Sequence, residues 1–139
     1  MGLRRKVMGM IGKYHFDSWH LSPYEWKEYA QACVRYLNTQ NCKTVVDIGC
    51  GLGETLRHIK ADKKIGLDLQ EEVIMAAREL NSGKIDFLAG SFADLTEHPI
   101  DYLITLNFMH GRNGSRFHKL SCLILVLISV AAVSMTVIA

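Results

Sequence analysis

Ten residues constrain this chain more than any others: Val45-Val46-Asp47-Ile48-Gly49-Cys50-Gly51-Leu52-Gly53-Glu54. An apolar, β-branched run ends on a carboxylate and passes into three glycines at alternate positions. Glycine takes φ > 0 without steric cost and lets backbone or ligand approach closely, so the spacing predicts a strand entering a tight turn wrapped against something bound. A helix is expected directly after the glycines, over residues 54–60. Strand, glycine turn and helix form the unit to which the rest of the fold must attach.

The downstream pattern repeats that unit. Lys64-Ile65-Gly66-Leu67 reads as a second strand ending at Asp68, and residues 71–80 follow as a helix with Val73, Ala76, Ala77 and Leu80 on one face. Asn81-Ser82-Gly83 stops that helix. A third strand is expected over residues 85–88 and a fourth over residues 102–106, after the Pro99 turn. Apolar strands alternating with helices predict an α/β, Rossmann-like three-layer sandwich whose mainly parallel sheet, of about four strands, is buried on both faces. Upstream, Ser22-Pro23-Tyr24-Glu25 has the form of a capping box with proline at the first helical position. Trp26, Ala30, Cys33, Val34 and Leu37 then recur at helical spacing, predicting one helix over residues 23–37. Residues 1–21 carry no clear period and are expected to pack over something later. Three segments result: an N-terminal helical segment (1–43), the strand-and-helix domain (44–111) and a tail (112–139).

Composition removes several function classes. A net charge of +2 on 139 residues, with no interleaving of basic and aromatic side chains, argues against nucleic acid. The basic N-terminus is followed by an apolar stretch too short and glycine-broken for a signal peptide, and Lys6 breaks the myristoylation pattern that Met1-Gly2 begins. Cys33, Cys42, Cys50 and Cys122 form no CxxC pair and the six histidines have no metal-ligand spacing, so no metal is expected. Cys50, small and set between glycines, reads as packing and takes no catalytic role.

In an open parallel sheet, ligands bind outside the carboxyl ends of the strands where the strand order reverses, which is where the first glycine turn falls. Asp68 ends the second strand, where a carboxylate can accept hydrogen bonds from both hydroxyls of a ribose. A nucleoside-containing cofactor is implied. The spacing is GxGxG, with Glu54 where the dinucleotide fingerprint has its last glycine, and a carboxylate at that helix start repels a pyrophosphate. A nicotinamide-dependent oxidoreductase is disfavoured for that reason. Asp47, two residues before the first glycine, points to a positively charged ligand.

Asp47-Ile48-Gly49-Cys50-Gly51-Leu52-Gly53, with Asp68 downstream, resembles the first two motifs of class I S-adenosylmethionine-dependent methyltransferases. The resemblance covers residues 44–111. It implies that S-adenosyl-L-methionine is the cofactor, its amino-acid end held by Asp47, Gly49, Gly51 and Gly53, its ribose by Asp68, and its adenine flanked by Leu69, with Cys50 of the turn also among the cofactor-binding residues. Leu88-Ala89-Gly90-Ser91-Phe92-Ala93-Asp94-Leu95 resembles the family segment after the third strand, where an acid contacts the adenine amino group. Ser91 stands in that acid's place and Phe92 in the place of its apolar neighbour. Residues 101–111 resemble the fourth strand and the turn facing the transferred methyl, making Asn107 and His110 the substrate-side candidates, Asn107 also toward the cofactor. The implied reaction is direct methyl transfer to a small-molecule acceptor; the alternative is an inactive cofactor-binding module or truncated isoform.

A complete domain of this family has seven strands, and only about four precede residue 112. From Leu120 to Ala139 no residue is charged, and 20 helical residues span about 30 Å, the hydrocarbon core of a bilayer. The tail reads as a transmembrane helix. Arg112, Arg116 and Lys119 on its N-terminal side would leave the domain cytoplasmic and membrane-anchored. Two other readings stay open: a buried pair of strands, favoured locally by Val126, Val130, Val133 and Val137, and an altered end replacing the remainder of an enzyme.

Overall fold

A computed structural model describes residues 2–96, 99–106, 124–127 and 135–138. Strands β1 (Thr44–Ile48), β2 (Lys63–Asp68), β3 (Asp86–Ala89) and β4 (Tyr102–Ile104) are parallel, and β5 (Ile124–Leu127) and β6 (Met135–Ile138) complete one sheet. The order is β3-β2-β1-β4-β5-β6. The chain steps outward from β1 to β3 and then returns to the other side of β1, so the strand order reverses between β1 and β4. That crevice lies outside the carboxyl end of β1, where the glycine loop begins.

The near-continuous apolar run in β1 is explained by burial on both faces. Val45 belongs to a cluster with Cys33, Val34 and Leu37 of helix α2 (Glu28–Leu37), Leu56 of helix α3 (Glu54–His58) and Ile74 and Ala77 of helix α4 (Glu71–Asn81). Val46 and Ile48 join Ile65, Leu67, Ile100 and Leu103 on the opposite face. Each fully buried Val, Leu or Ile contributes about 1.5–3 kcal/mol of transfer free energy, which holds the first strand and its loop between two packed layers.

Three sequence expectations bear on the fold, and two of them are corrected. The helix expected over residues 23–37 is two elements, a 3-10 turn at Tyr24–Trp26 and α2 starting at Glu28. The Ser22–Glu25 capping box does not form. Lys27 stands at the break with φ −102° and ψ 76°, outside helical geometry, and its ammonium reaches across to Glu54 at 2.6 Å.

The second, that residues 1–21 pack over a later element, holds, and the packing element is a helix that the sequence did not show. Helix α1 (Leu3–Tyr14) carries Val7 into a cluster with Phe16, Leu52, Val73 and Ala76, and so packs against α4. Gly9 and Gly12 interrupt its apolar period and weaken its intrinsic propensity, which is why no helix was legible there.

The third concerns the tail. Its described portions are strands: β5 runs antiparallel to β4, pairing Ile124 with Ile104, and β6 runs antiparallel to β5. Among the described residues no helix is long and apolar enough to cross a membrane. The expected transmembrane helix and the membrane anchoring built on it therefore lose their support. The physical reason is that β4 presents an open edge, and the β-branched tail satisfies its own backbone by pairing there.

Candidate functional site

A cavity of about 860 Å³ opens over the carboxyl ends of β1 and β2. One wall is the glycine loop with Asp68, Leu69, Gly90 and Ser91; the other comes from the N-terminal segment, including Leu3, Asp17, Trp19, His20 and Tyr24. The volume falls within the range of small-molecule sites.

Backbone hydrogen bonds build the loop. The amides of Gly49 and Cys50 both donate to the Leu67 carbonyl, at 2.8 and 2.9 Å, turning the chain away from β1 over the end of β2. Gly53 closes the turn, its amide donating to the Cys50 carbonyl at 3.0 Å, and then caps α3 with φ 71°. A Cβ at Gly53 would lie 2.5 Å from Phe87 Cζ, so both the backbone conformation and the packing require glycine. At Gly51, φ 53°, a Cβ would come within 3.1 Å of the His20 ring.

Asp68 ties the loop to β2. Its Oδ2 accepts from the Gly51 amide at 3.0 Å and its Oδ1 from the Gln70 amide at 3.1 Å. Each carboxylate oxygen keeps a further lone pair, so Asp68 can still accept from a ligand. Asp47 is a different kind of acid. It is 2% exposed, its Oδ1 has no hydrogen-bond partner, and burial followed by the charge of Asp68 pushes its pKa up to about 8. A buried, unpaired carboxylate is costly, and its presence at the end of β1 is the kind of feature that marks a binding site.

The other expected residues separate. Cys50 is buried, its sulfur 2.7 Å from where a Cβ of Gly66 would lie, which agrees with packing, and burial raises its thiol well above the ordinary range. Leu69 is 74% exposed on the cavity wall. Ser91 also lines the cavity, but its hydroxyl and amide both donate to Asp94 Oδ2, at 3.1 and 2.8 Å, in a capping box that starts the 3-10 turn Phe92–Asp94. Phe92 is 52% exposed and is not part of the wall. Asn107 and His110 lie outside the described residues.

Four site residues were not anticipated in these roles. His20 lies against Gly51, edge-on to Phe16 at 5.4 Å, and burial lowers its pKa against the pull of Asp17 and Asp68. Lys27 pairs with Glu54 on α3, the two side chains 15% and 20% exposed, so the carboxylate at the helix start is neutralised from the N-terminal segment. Arg57 lines the same cavity. Asn81, 5% exposed, donates through Nδ2 to the carbonyls of Leu52 at 3.1 Å and Ala77 at 2.6 Å, buttressing the glycine loop from the end of α4. In sequence Asn81 was legible only as part of a helix stop, and His20 and Lys27 carried no motif.

An open sheet with a glycine loop at its switch point, a carboxylate at the second strand end and a cavity between them defines an α/β domain built for a nucleoside-type ligand. The family described as Methyltransferase domain matches residues 45–122, more than half of the chain, and the chain belongs to that family. No curated protein sequence matches it. Among solved structures it is similar to the YcgJ protein from Bacillus subtilis, with TM-score 0.50 and 19% identity over 56% of this chain and 37% of that one. The complex between the Haloferax volcanii Trm112 methyltransferase activator and the putative methyltransferase gives TM-score 0.50 and 24% identity over 73% and 42%. The N-methyltransferase NodS from Bradyrhizobium japonicum, in complex with S-adenosyl-L-homocysteine (SAH), gives 0.51 and 16% over 70% and 54%. These likenesses are of fold. The chain spans 37% to 54% of the length of the three.

Proposed function

We propose that this chain binds S-adenosyl-L-methionine and serves methyl transfer to a small-molecule acceptor. The observation that carries the reading is the pairing of acids with the glycine loop: Asp68 fastened to the Gly51 amide, and Asp47 buried beneath with an oxygen unpartnered. A cation nearby offsets the cost of ionising Asp47, and a ribose diol finds acceptors on Asp68. Gly49 and Gly51 line the cavity, where a Cβ at Gly51 would take up space against His20, while Gly53 packs on Phe87 and holds the turn. The residues present therefore fit the cofactor, and the family membership and the SAH found in NodS support the assignment.

When bound, the cofactor would supply an electrophilic methyl on a sulfonium sulfur, with a neutral thioether as the leaving group. The chain's own part is binding and positioning. The loop amides and Asp68 orient the ligand, and the N-terminal wall through His20, Leu21 and Tyr24 excludes water from it. Neutralisation of Glu54 by Lys27 removes part of the charge argument against a pyrophosphate, but the GxGxG spacing continues to disfavour a dinucleotide. A second reading is a cofactor-binding module without turnover, which the turnover measurement below separates from the first.

Isothermal titration of the full chain with SAH tests the binding. Wild type is expected to bind, and Asp68→Ala to weaken binding roughly tenfold or more, while Asp68→Asn, which keeps one acceptor oxygen, loses less. Absence of binding by wild type overturns the reading; equal binding by Asp68→Ala overturns the ribose role. Methyl turnover from the cofactor, measured beside the titration, separates the enzyme from the module.

A further inference from the structure

The cavity has a basic end that the cofactor motifs do not explain. Lys27 and Arg57 both line it. Lys27 is engaged by Glu54 at 2.6 Å. Arg57, one helical turn along α3, is half-buried, and among the described residues its guanidinium has neither an ion pair nor a hydrogen bond. Burial lowers the Arg57 pKa and Glu54 pulls it up, which is the signature of a cation desolvated without a dedicated partner. Since Lys27 and Glu54 cancel, this end of the wall is net positive through Arg57. Asp17, Glu25 and Asp68 also line the cavity, and among the described residues none of them forms an ion pair with Arg57. Tyr24 stacks on His58 with centroids 4.0 Å apart and planes at 12°, fixing the wall next to Arg57 in the chain.

We propose that Arg57 recognises a ligand carboxylate in this cavity. A planar fork with five donors suits a carboxylate bidentately, and a half-buried fork without a partner is already partly desolvated for it. The inference deepens the reading given above and rests on it. Two carboxylates have the right chemistry, that of the amino-acid end of the cofactor and one on the methyl acceptor, and the same side chain would serve either.

The test uses the full chain as wild type, Arg57→Gln and Arg57→Lys, with SAH and 5′-methylthioadenosine, which lacks the amino-acid end. Folding of each variant is checked by its urea midpoint, and Arg57→Lys, which keeps the charge but loses the fork, serves if Arg57→Gln does not fold. If the cofactor's carboxylate is the ligand, Arg57→Gln weakens SAH roughly tenfold and methylthioadenosine less than twofold, with Arg57→Lys in between. If the acceptor's carboxylate is the ligand, both nucleosides bind as in wild type, while succinate, titrated into the SAH-loaded chain as a probe, binds wild type and loses binding in Arg57→Gln. Equal weakening of SAH and methylthioadenosine, or no change with any probe, overturns the proposal. Failure of wild type to bind SAH at all is a separate result and refutes the cofactor reading instead.

Discussion

Replacing Asp47 with asparagine should change the pH dependence of stability more than any other single substitution in the loop. Asp47 is 2% exposed with an unpartnered oxygen, and its pKa moves from an ordinary 3.8 to about 8 in the folded chain, first through burial and then through the charge of Asp68. A carboxyl raised in this way binds its proton more tightly when folded. Its contribution is therefore complete below the unfolded value and is lost as pH rises through about 8. At about 1.4 kcal/mol per pH unit the full loss is on the order of 5 kcal/mol, a large fraction of the roughly 5–15 kcal/mol that holds a domain together. Between pH 5 and pH 9, wild type should lose about 4 kcal/mol relative to Asp47→Asn, most of it before pH 8. Urea unfolding of the ligand-free chain at pH 5, 7 and 9 measures this, and asparagine's own packing cost cancels because it does not titrate. A gap that stays constant across the three pH values refutes the argument and would mean that Asp47 is solvated or paired.

Two further substitutions test the loop's construction. Gly53→Ala combines a left-handed backbone with a Cβ 2.5 Å from Phe87 Cζ, and should cost about 2–5 kcal/mol in urea unfolding; a cost below 1 kcal/mol would show that the ring swings away freely. Asn81→Ala removes the donor to the Leu52 and Ala77 carbonyls and should destabilise by about 1–3 kcal/mol, with faster amide hydrogen exchange across residues 51–53. Loss of stability with unchanged loop exchange would limit Asn81 to anchoring its own helix.

Local signals were legible where the chain's periodicity and its burial coincide. Val45, Val46 and Ile48 are apolar because both faces of β1 are covered, so a short unbroken run predicted a parallel strand correctly. Gly53 was legible because a positive φ is a backbone requirement that few other residues meet. Asp68 was legible by its distance from the loop. The capping box at Ser22–Glu25 was misleading because a four-residue pattern carries no information on tertiary partners: the carbonyls of Tyr24 and Glu25 accept from Gln31 Nε2, and Lys27 pairs with Glu54.

What the sequence determined by itself was the order of strands and helices from β1 to β4, the place of the glycine turn and the two acids at strand ends, since these follow from side-chain period and backbone freedom over a few residues. Tertiary structure decided the rest. It wrapped residues 3–27 over the loop so that His20 meets Gly51, placed Lys27 on Glu54, left Arg57 facing the cavity, and set Asn81 beneath Leu52. It also decided the tail: an uncharged run of 20 residues has the composition of a bilayer helix, yet its described portions pair as β5 and β6 beside β4. An apolar segment without charge is driven out of water in either case, and the open edge of a neighbouring strand, which no local pattern encodes, offers its backbone partners within the fold.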